Sequence, residues 1–146
     1  MKILIGVDDS PHARAAVEFV RKMTWPKDTR VVVLSVAQPA VQAYSEIYVP
    51  SAPLVEITEN IIRMHQELAT GAENTLLGVG LTTEAKVLQG DARTALVDAA
   101  HTERADLVVV GSHGRTGLAK LFMGSVASHV VTHAPCSVMV VKLEKP

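Results

Sequence analysis

Apolar residues along the chain fall into two alternating rhythms. Lys2 to Val7, Arg30 to Val36, Ala105 to Val110 and Ser137 to Val141 are short runs rich in Val, Ile and Leu, and Thr82 to Leu88 alternates. Such runs are the length of strands, and nearly continuous apolar ones suit strands buried on both faces. Between them the spacing turns helical. Ala15, Ala16, Phe19, Val20 and Met23 make one inward face, with Ser10 as N-cap, Pro11 at the first helical position and Trp25-Pro26-Lys27-Asp28 as the stop. Val55, Ile61, Ile62, Met64, Leu68 and Leu76 mark a long helix from Leu54 to Leu77, closed by Gly78-Val79-Gly80. After Gly90-Asp91, Ala92 to Thr102 turns Ala95, Leu96, Ala99 and Ala100 inward, and Ser125 to Thr132 forms a last helix before Ala134-Pro135.

Strand and helix therefore alternate throughout, which predicts an α/β fold with a parallel sheet covered on both faces and right-handed crossovers. No composition shift or internal repeat divides the chain, so a single domain over 1–146 is expected. One connection is unusually long. Ala37 to Pro53, punctuated by prolines, reads as a functional loop or lid.

The chemistry concentrates after the fourth strand. Leu107-Val108-Val109-Val110 opens into Gly111-Ser112-His113-Gly114-Arg115-Thr116-Gly117, and Gly124-Ser125 precedes the last helix. Glycines there would let the backbone take positive φ and approach a ligand closely. Ser125 would cap the helix, leaving its first N–H groups for an anion. The amides of Gly114 to Gly117 and of Ser125-Val126, with the Ser125 hydroxyl, thus form a candidate phosphate cradle. Arg115 and Lys120 either add charge to it or are solvated. Leu118, Leu121, Phe122 and Met123 are too apolar for a free loop and should pack on the body or on a partner.

Two familiar phosphate loops do not fit. A P-loop needs Lys directly after its last Gly, whereas Gly117 is followed by Leu118-Ala119. A dinucleotide fingerprint belongs to the first strand, whose turn Gly6-Val7-Asp8-Asp9-Ser10 holds one glycine. What remains is Gly, two residues, Gly, nine residues, Gly-Ser. This spacing resembles the nucleotide-binding signature of the universal stress protein family, as do the opening Ile3 to Ser10 and the ending Ala134 to Val141.

The resemblance implies an open five-stranded parallel sheet of order 3-2-1-4-5, Rossmann-like and similar to the adenine nucleotide alpha hydrolases. Its switch point lies between strands 1 and 4, where ligands of open α/β sheets bind. The implied nucleotide contacts are Gly6, Val7 and Asp8 at the end of strand 1 and Val36 beside adenine at the end of strand 2. Gly111, Ser112, His113, Gly114, Arg115, Thr116 and Gly117, with Gly124, Ser125 and Val126, complete the set. The implied ligands are ATP or AMP, with Mg²⁺ or Mn²⁺ carried through the phosphates and Asp8 as the metal-binding side chain. The implied role is that of a stress-response sensor or regulatory module, at most a slow ATPase. A homodimer joined through Ser137 to Val141 would cover an otherwise apolar sheet edge.

Composition narrows the field. A formal net charge of −1 offers no broad cationic surface for nucleic acid. No apolar run reaches the roughly 20 residues of a membrane helix, and the opening run is too short for a signal-peptide core. The single Cys136 suits a reducing compartment and a buried structural role, so a cytoplasmic protein is expected. Adjacent Asp8 and Asp9 could hold ligand or metal, or serve the turn; the resemblance favours a ligand role for Asp8, and Asp9 is assigned to the turn. His129 and His133, four apart, could bind zinc but lack a third ligand, and helix packing is the expected role. His113 either reaches the nucleotide or faces solvent, whereas His12, His65 and His101 have no partners legible in the sequence. The competing functional class is a nucleotide-free interaction protein that uses its dimer surface and the Ala37 to Pro53 loop to recruit a protein partner.

Overall fold

A computed structural model describes residues 1–39, 52–114 and 123–144. The elements run β1 (Lys2–Val7), α1 (Pro11–Lys22), β2 (Arg30–Ala37), α2 (Ala52–Leu77), β3 (Thr82–Gln89), α3 (Ala92–Thr102), β4 (Leu107–Gly111), α4 (Ser125–His133) and β5 (Ser137–Val141). All strand pairs are parallel, in the order β3-β2-β1-β4-β5. Alternate residues of β1, β2, β4 and β5 feed opposite cores, whereas β3 gives Ala85 and Val87 to one of them. Ile3, Ile5, Val31, Val33 and Val109 pack against α1 and α2; Leu4, Val32, Leu34, Val108 and Val110 pack against α3 and α4. The crossover order brings β1 and β4 side by side, with Ile3, Leu4 and Ile5 opposite Leu107, Val108 and Val109. Their carboxyl ends then diverge toward different helices.

The caps fix where the chain turns into each helix. Ser10 Oγ accepts from Ala13 N at 3.0 Å and Pro11 opens α1, as the sequence implies. The inward face of α1 is displaced from the expected one. Ala13, Ala16, Val17 and Val20 are buried, whereas Phe19 and Met23 are 40% and 43% exposed. At the opposite end of the sheet, Glu103 closes α3 by donating its N–H to Ala99 O at 2.8 Å, and its carboxylate takes Lys2 Nζ at 3.1 Å together with Lys86 Nζ. No helix among the described residues is long and apolar enough to cross a membrane.

Ala37 ends β2 and Ala52-Pro53 already belong to α2, so most of the expected long loop lies in 40–51, outside the described residues. Cys136 is part-buried, packed beside the core of the α3–α4 face, and burial pushes its thiol pKa up, helped by the Asp106 charge.

Candidate functional site

Where β1 and β4 part, the carboxyl ends of the strands line a cleft of about 510 Å³, its open mouth included. Two sets of residues line it, with different chemistry. Leu34 and Val36 from β2, Ala92 and Leu96 from α3, and Val110 give an apolar shelf. His113 and Gly114 bring backbone just after β4 and Val126 and Ala127 backbone of the first turn of α4, while Gly6, Val7, Asp8, Ala13 and Gly111 form the floor between them.

Small residues make these walls possible. A Cβ on Gly111 would sit 2.7 Å from the His12 carbonyl carbon, so the glycine lets the beginning of α1 lie directly on the end of β4. A Cβ on Gly114 would come within 3.1 Å of Asp8 Oδ2, and one on Gly124 within 3.1 Å of His113 Cα. Gly124 N donates to Ser112 O at 2.7 Å and Ser112 N to Val141 O at 2.8 Å, which holds both ends of the glycine segment against β5. Close approach, rather than left-handed backbone, is therefore the use of these glycines. Among the described residues the positive-φ glycines are Gly80 and Gly90, so the positive φ expected of the glycines after β4 is not found at Gly111 or Gly114.

The N-terminus of α4 also differs from expectation. Gly124, not Ser125, is the N-cap, and it makes no side-chain cap bond; Ser125 is the first helical residue and is exposed. The offset of one residue removes the side-chain acceptor. Ser128 N is the first amide to find a partner, Gly124 O at 2.9 Å. The amides of Ser125, Val126 and Ala127 thus keep no side-chain acceptor among the described residues, at the positive end of the helix dipole.

Asp8 serves the turn and the cleft together. Its Oδ1 accepts from Ser10 N at 2.9 Å, and its other oxygen faces Gly114. The turn chemistry assigned to Asp9 is thus carried by Asp8. Asp9 instead lies exposed, 3.8 Å from Arg14. Among the described residues no three His, Cys, Asp or Glu side chains gather as a metal site, around Asp8 or elsewhere.

The predicted residues Gly6, Val7, Asp8, Val36, Gly111, His113, Gly114 and Val126 therefore meet at one cleft. Ser112 is buried behind it, Gly124 braces its edge and Ser125 stands outside the lining. Arg115, Thr116 and Gly117 lie outside the described residues, as does Lys120.

Two histidines with no legible partner acquire one. His12 Nδ1 is 3.2 Å from Ser112 Oγ, and burial, followed by the His113 charge, lowers its pKa against the opposing pull of Asp8. His65, on α2 and 5% exposed, meets Ser35 Oγ at 2.7 Å, and Ser35 donates onward to Val7 O at 2.9 Å. Because the serine proton goes to Val7, His65 must donate from Nδ1. This bond ties α2 to the end of β1 from the face opposite the cleft. His129 and His133, four apart on α4, stack on each other at 4.1 Å, and His133 is exposed.

Comparison with known proteins agrees with this fold. The model of the universal stress protein family matches residues 1–142. A universal stress protein of Thermus aquaticus is 31% identical over 140 residues, covering 96% of this chain and 97% of that protein. Among solved structures, the hypothetical protein MJ0577 superposes with a TM-score of 0.85 at 24% identity, over 99% of this chain and 97% of that one. A universal stress protein of Arabidopsis thaliana, solved with AMP bound, gives a TM-score of 0.70 at 20% identity, over 99% and 92% of the two chains. At such identities the structural likeness speaks for the fold, and the sequence matches speak for descent. The chain belongs to the universal stress protein family.

Proposed function

We propose that this protein holds an adenine nucleotide, ATP or AMP, in the cleft between β1 and β4 and works as a cytoplasmic stress-response sensor or regulatory module. One observation carries the reading: the cleft has an apolar shelf at one side and, at the other, a helix N-terminus whose first amides have no side-chain acceptor among the described residues. A purine needs the first and a phosphate the second. The AMP-bound relative of the same fold supports adenine as the base. The base would lie on Leu34, Val36 and Leu96, with Asp8 accepting from the ribose or base. The phosphates would meet the amides of Gly114 to Gly117 and of Ser125-Val126. A divalent ion would travel on the phosphates.

Hydrolysis in this reading is slow at most, since neither a P-loop lysine nor a base aimed at water is legible in the sequence. A homodimer belongs to the same proposal. β5 pairs with β4 on one side only, and Val138, Met139 and Val140 are part-buried, so a second copy would cover that edge.

The test is direct. The purified protein is heat-denatured and the supernatant chromatographed for nucleotide, while ATP and AMP are titrated against the native protein in a thermal-shift assay. Released adenine nucleotide, or a rise of Tm with either ligand, is the expected outcome. No release and no shift with ligand at millimolar concentration would remove this reading in favour of the interaction protein. Dimerisation is checked separately by sizing at micromolar concentration, where monomer alone would refute it.

A further inference from the structure

The central strand β1 carries a glycine inside it. Gly6 pairs with Leu34 in unbroken register and its φ is not positive, so neither a bulge nor a left-handed turn calls for glycine there. A glycine weakens a strand interior, and the remaining reason for one is the close approach of another group. That group is Leu96. A Cβ on Gly6 would come within 3.0 Å of Leu96 Cδ2, 3.1 Å of Leu96 Cδ1 and 3.4 Å of Val110 Cγ1.

The gap lies under the apolar shelf of the cleft. Leu34 stands opposite Gly6 on β2 and Val110 lies beside it on β4, and both are buried side chains that line the cleft. Between them β1 offers no side chain, and Leu96, 4% exposed, drops into the space from α3. The shelf therefore dips where a side chain on β1 would have raised it.

The helix that carries Leu96 is held against the sheet. Its N-cap Asp91 accepts from Arg93 N at 2.9 Å and from Thr94 N at 3.4 Å, and Gly90 N donates to Ala37 O at 3.0 Å at the end of β2. One turn beyond Leu96, Ala100 is fully buried. A side chain at position 6 would thus displace the Leu96 methyl groups rather than α3. Leu96 belongs to the tightly packed core of the α3–α4 face, and the open space beside it is the cleft. The displaced methyl groups would enter that space.

We infer that Leu96, seated in the gap at Gly6, is the specificity-determining contact for the base of the ligand. The side chain missing from β1 gives the shelf the depth that a planar purine ring needs. The shelf side chains Leu34, Val36, Ala92, Leu96 and Val110 are all apolar, so what they offer a ring is burial and fit. Gly114 and Val126, at the proposed phosphate end, belong to the other wall, so the Gly6–Leu96 pair governs the affinity of the base and not that of the phosphate. The inference rests on the nucleotide reading above.

The experiment measures AMP affinity by calorimetry for the wild type, for Gly6→Ala and for the Gly6→Ala, Leu96→Val double variant, which removes one carbon where the alanine adds one. AMP should bind Gly6→Ala about tenfold more weakly, the lower range for one carbon added to an apolar pocket. The double variant should recover most of that loss. Wild-type affinity in Gly6→Ala, or a loss that Leu96→Val does not reverse, overturns the inference and leaves the nucleotide reading intact. No AMP binding by the wild type removes both. Should the variants not fold, NMR of the wild type decides: the ring current of a bound purine should move the Leu96 methyl resonances when AMP is added, and ribose 5-phosphate at millimolar concentration should leave them in place. Resonances unmoved by AMP, or moved equally by ribose 5-phosphate, would overturn the inference.

Discussion

The two ends of the sheet are finished in opposite ways. At the amino end of β1, Lys2 N donates to Asp106 Oδ2 at 2.6 Å, and Lys2 Nζ and Lys86 Nζ converge on Glu103, so the charges and donors there are matched within the chain. At the carboxyl ends, β1 and β4 part over a cleft, and the helix that faces it begins at a glycine without a side-chain cap. Matched groups give stability, whereas donors held in place without an internal acceptor give a binding site. The capped and uncapped helices make the same contrast at closer range: Ser10 spends its oxygen on α1, and Ser125 spends nothing on α4.

The largest expected effect lies where packing leaves no room. Gly111→Ala puts a methyl group 2.7 Å from backbone of His12, so α1 must move off β4. A loss of about 3 kcal/mol in urea denaturation is expected, the upper range for overpacking. A loss below about 0.5 kcal/mol, the usual surface value, would show that the close approach is not structural. Next comes Ser10→Ala, which removes a buried cap and should cost about 1.5 kcal/mol by the same assay.

At the matched end, Lys86 and then Lys2 hold the Glu103 carboxyl below the usual carboxylate range. A depressed acid adds stability above its unfolded pKa, near about 4.3, and the contribution is lost as pH falls through the lower folded value. Glu103→Gln should therefore cost about 1 kcal/mol at neutral pH, discounted because both lysine side chains are about a third exposed at 34% and 36%. In strongly acidic solution the wild type and the variant should converge. A gap independent of pH would assign the effect to packing rather than charge. Smallest of all, Ser125→Ala should change stability by less than about 0.3 kcal/mol, since its hydroxyl caps nothing. A loss as large as that of Ser10→Ala would erase the contrast between the two helices.

Much of this was legible in the residues, and the exceptions have physical reasons. Strands with continuous apolar runs and helices with a clear stop were placed to within about two residues, the ordinary error at element boundaries. β4 runs from Leu107 to Gly111 rather than from Ala105, because Ala105 N instead bonds Ala100 O at the end of α3. Gly111 and Gly114 were legible as a site, but their use was not: spacing shows where a side chain is missing, and only the fold shows that His12 and Asp8 fill the gap. Of the apolar shelf only Val36 was legible, through the resemblance, because Leu34 and Leu96 carry the chemistry of core residues and the strand ends that leave them beside a cleft are set by topology. Phe19 and Met23 were misplaced because their spacing also fits the helical period, one step around from the true face of Ala13, Ala16, Val17 and Val20. His12 and His65 find serines 100 and 30 residues away, and no local pattern encodes such a pairing.

Gly114→Val tests the cleft between β1 and β4 as a nucleotide site most directly. A valine there would crowd the Asp8 carboxylate and fill the phosphate end of the cleft. The measurement is the thermal or urea stabilisation produced by AMP at a hundred times the wild-type Kd. The wild type should gain about 2.7 kcal/mol and the folded variant none. Equal stabilisation of both proteins would contradict the placement of the phosphate, and none for the wild type would contradict the nucleotide itself.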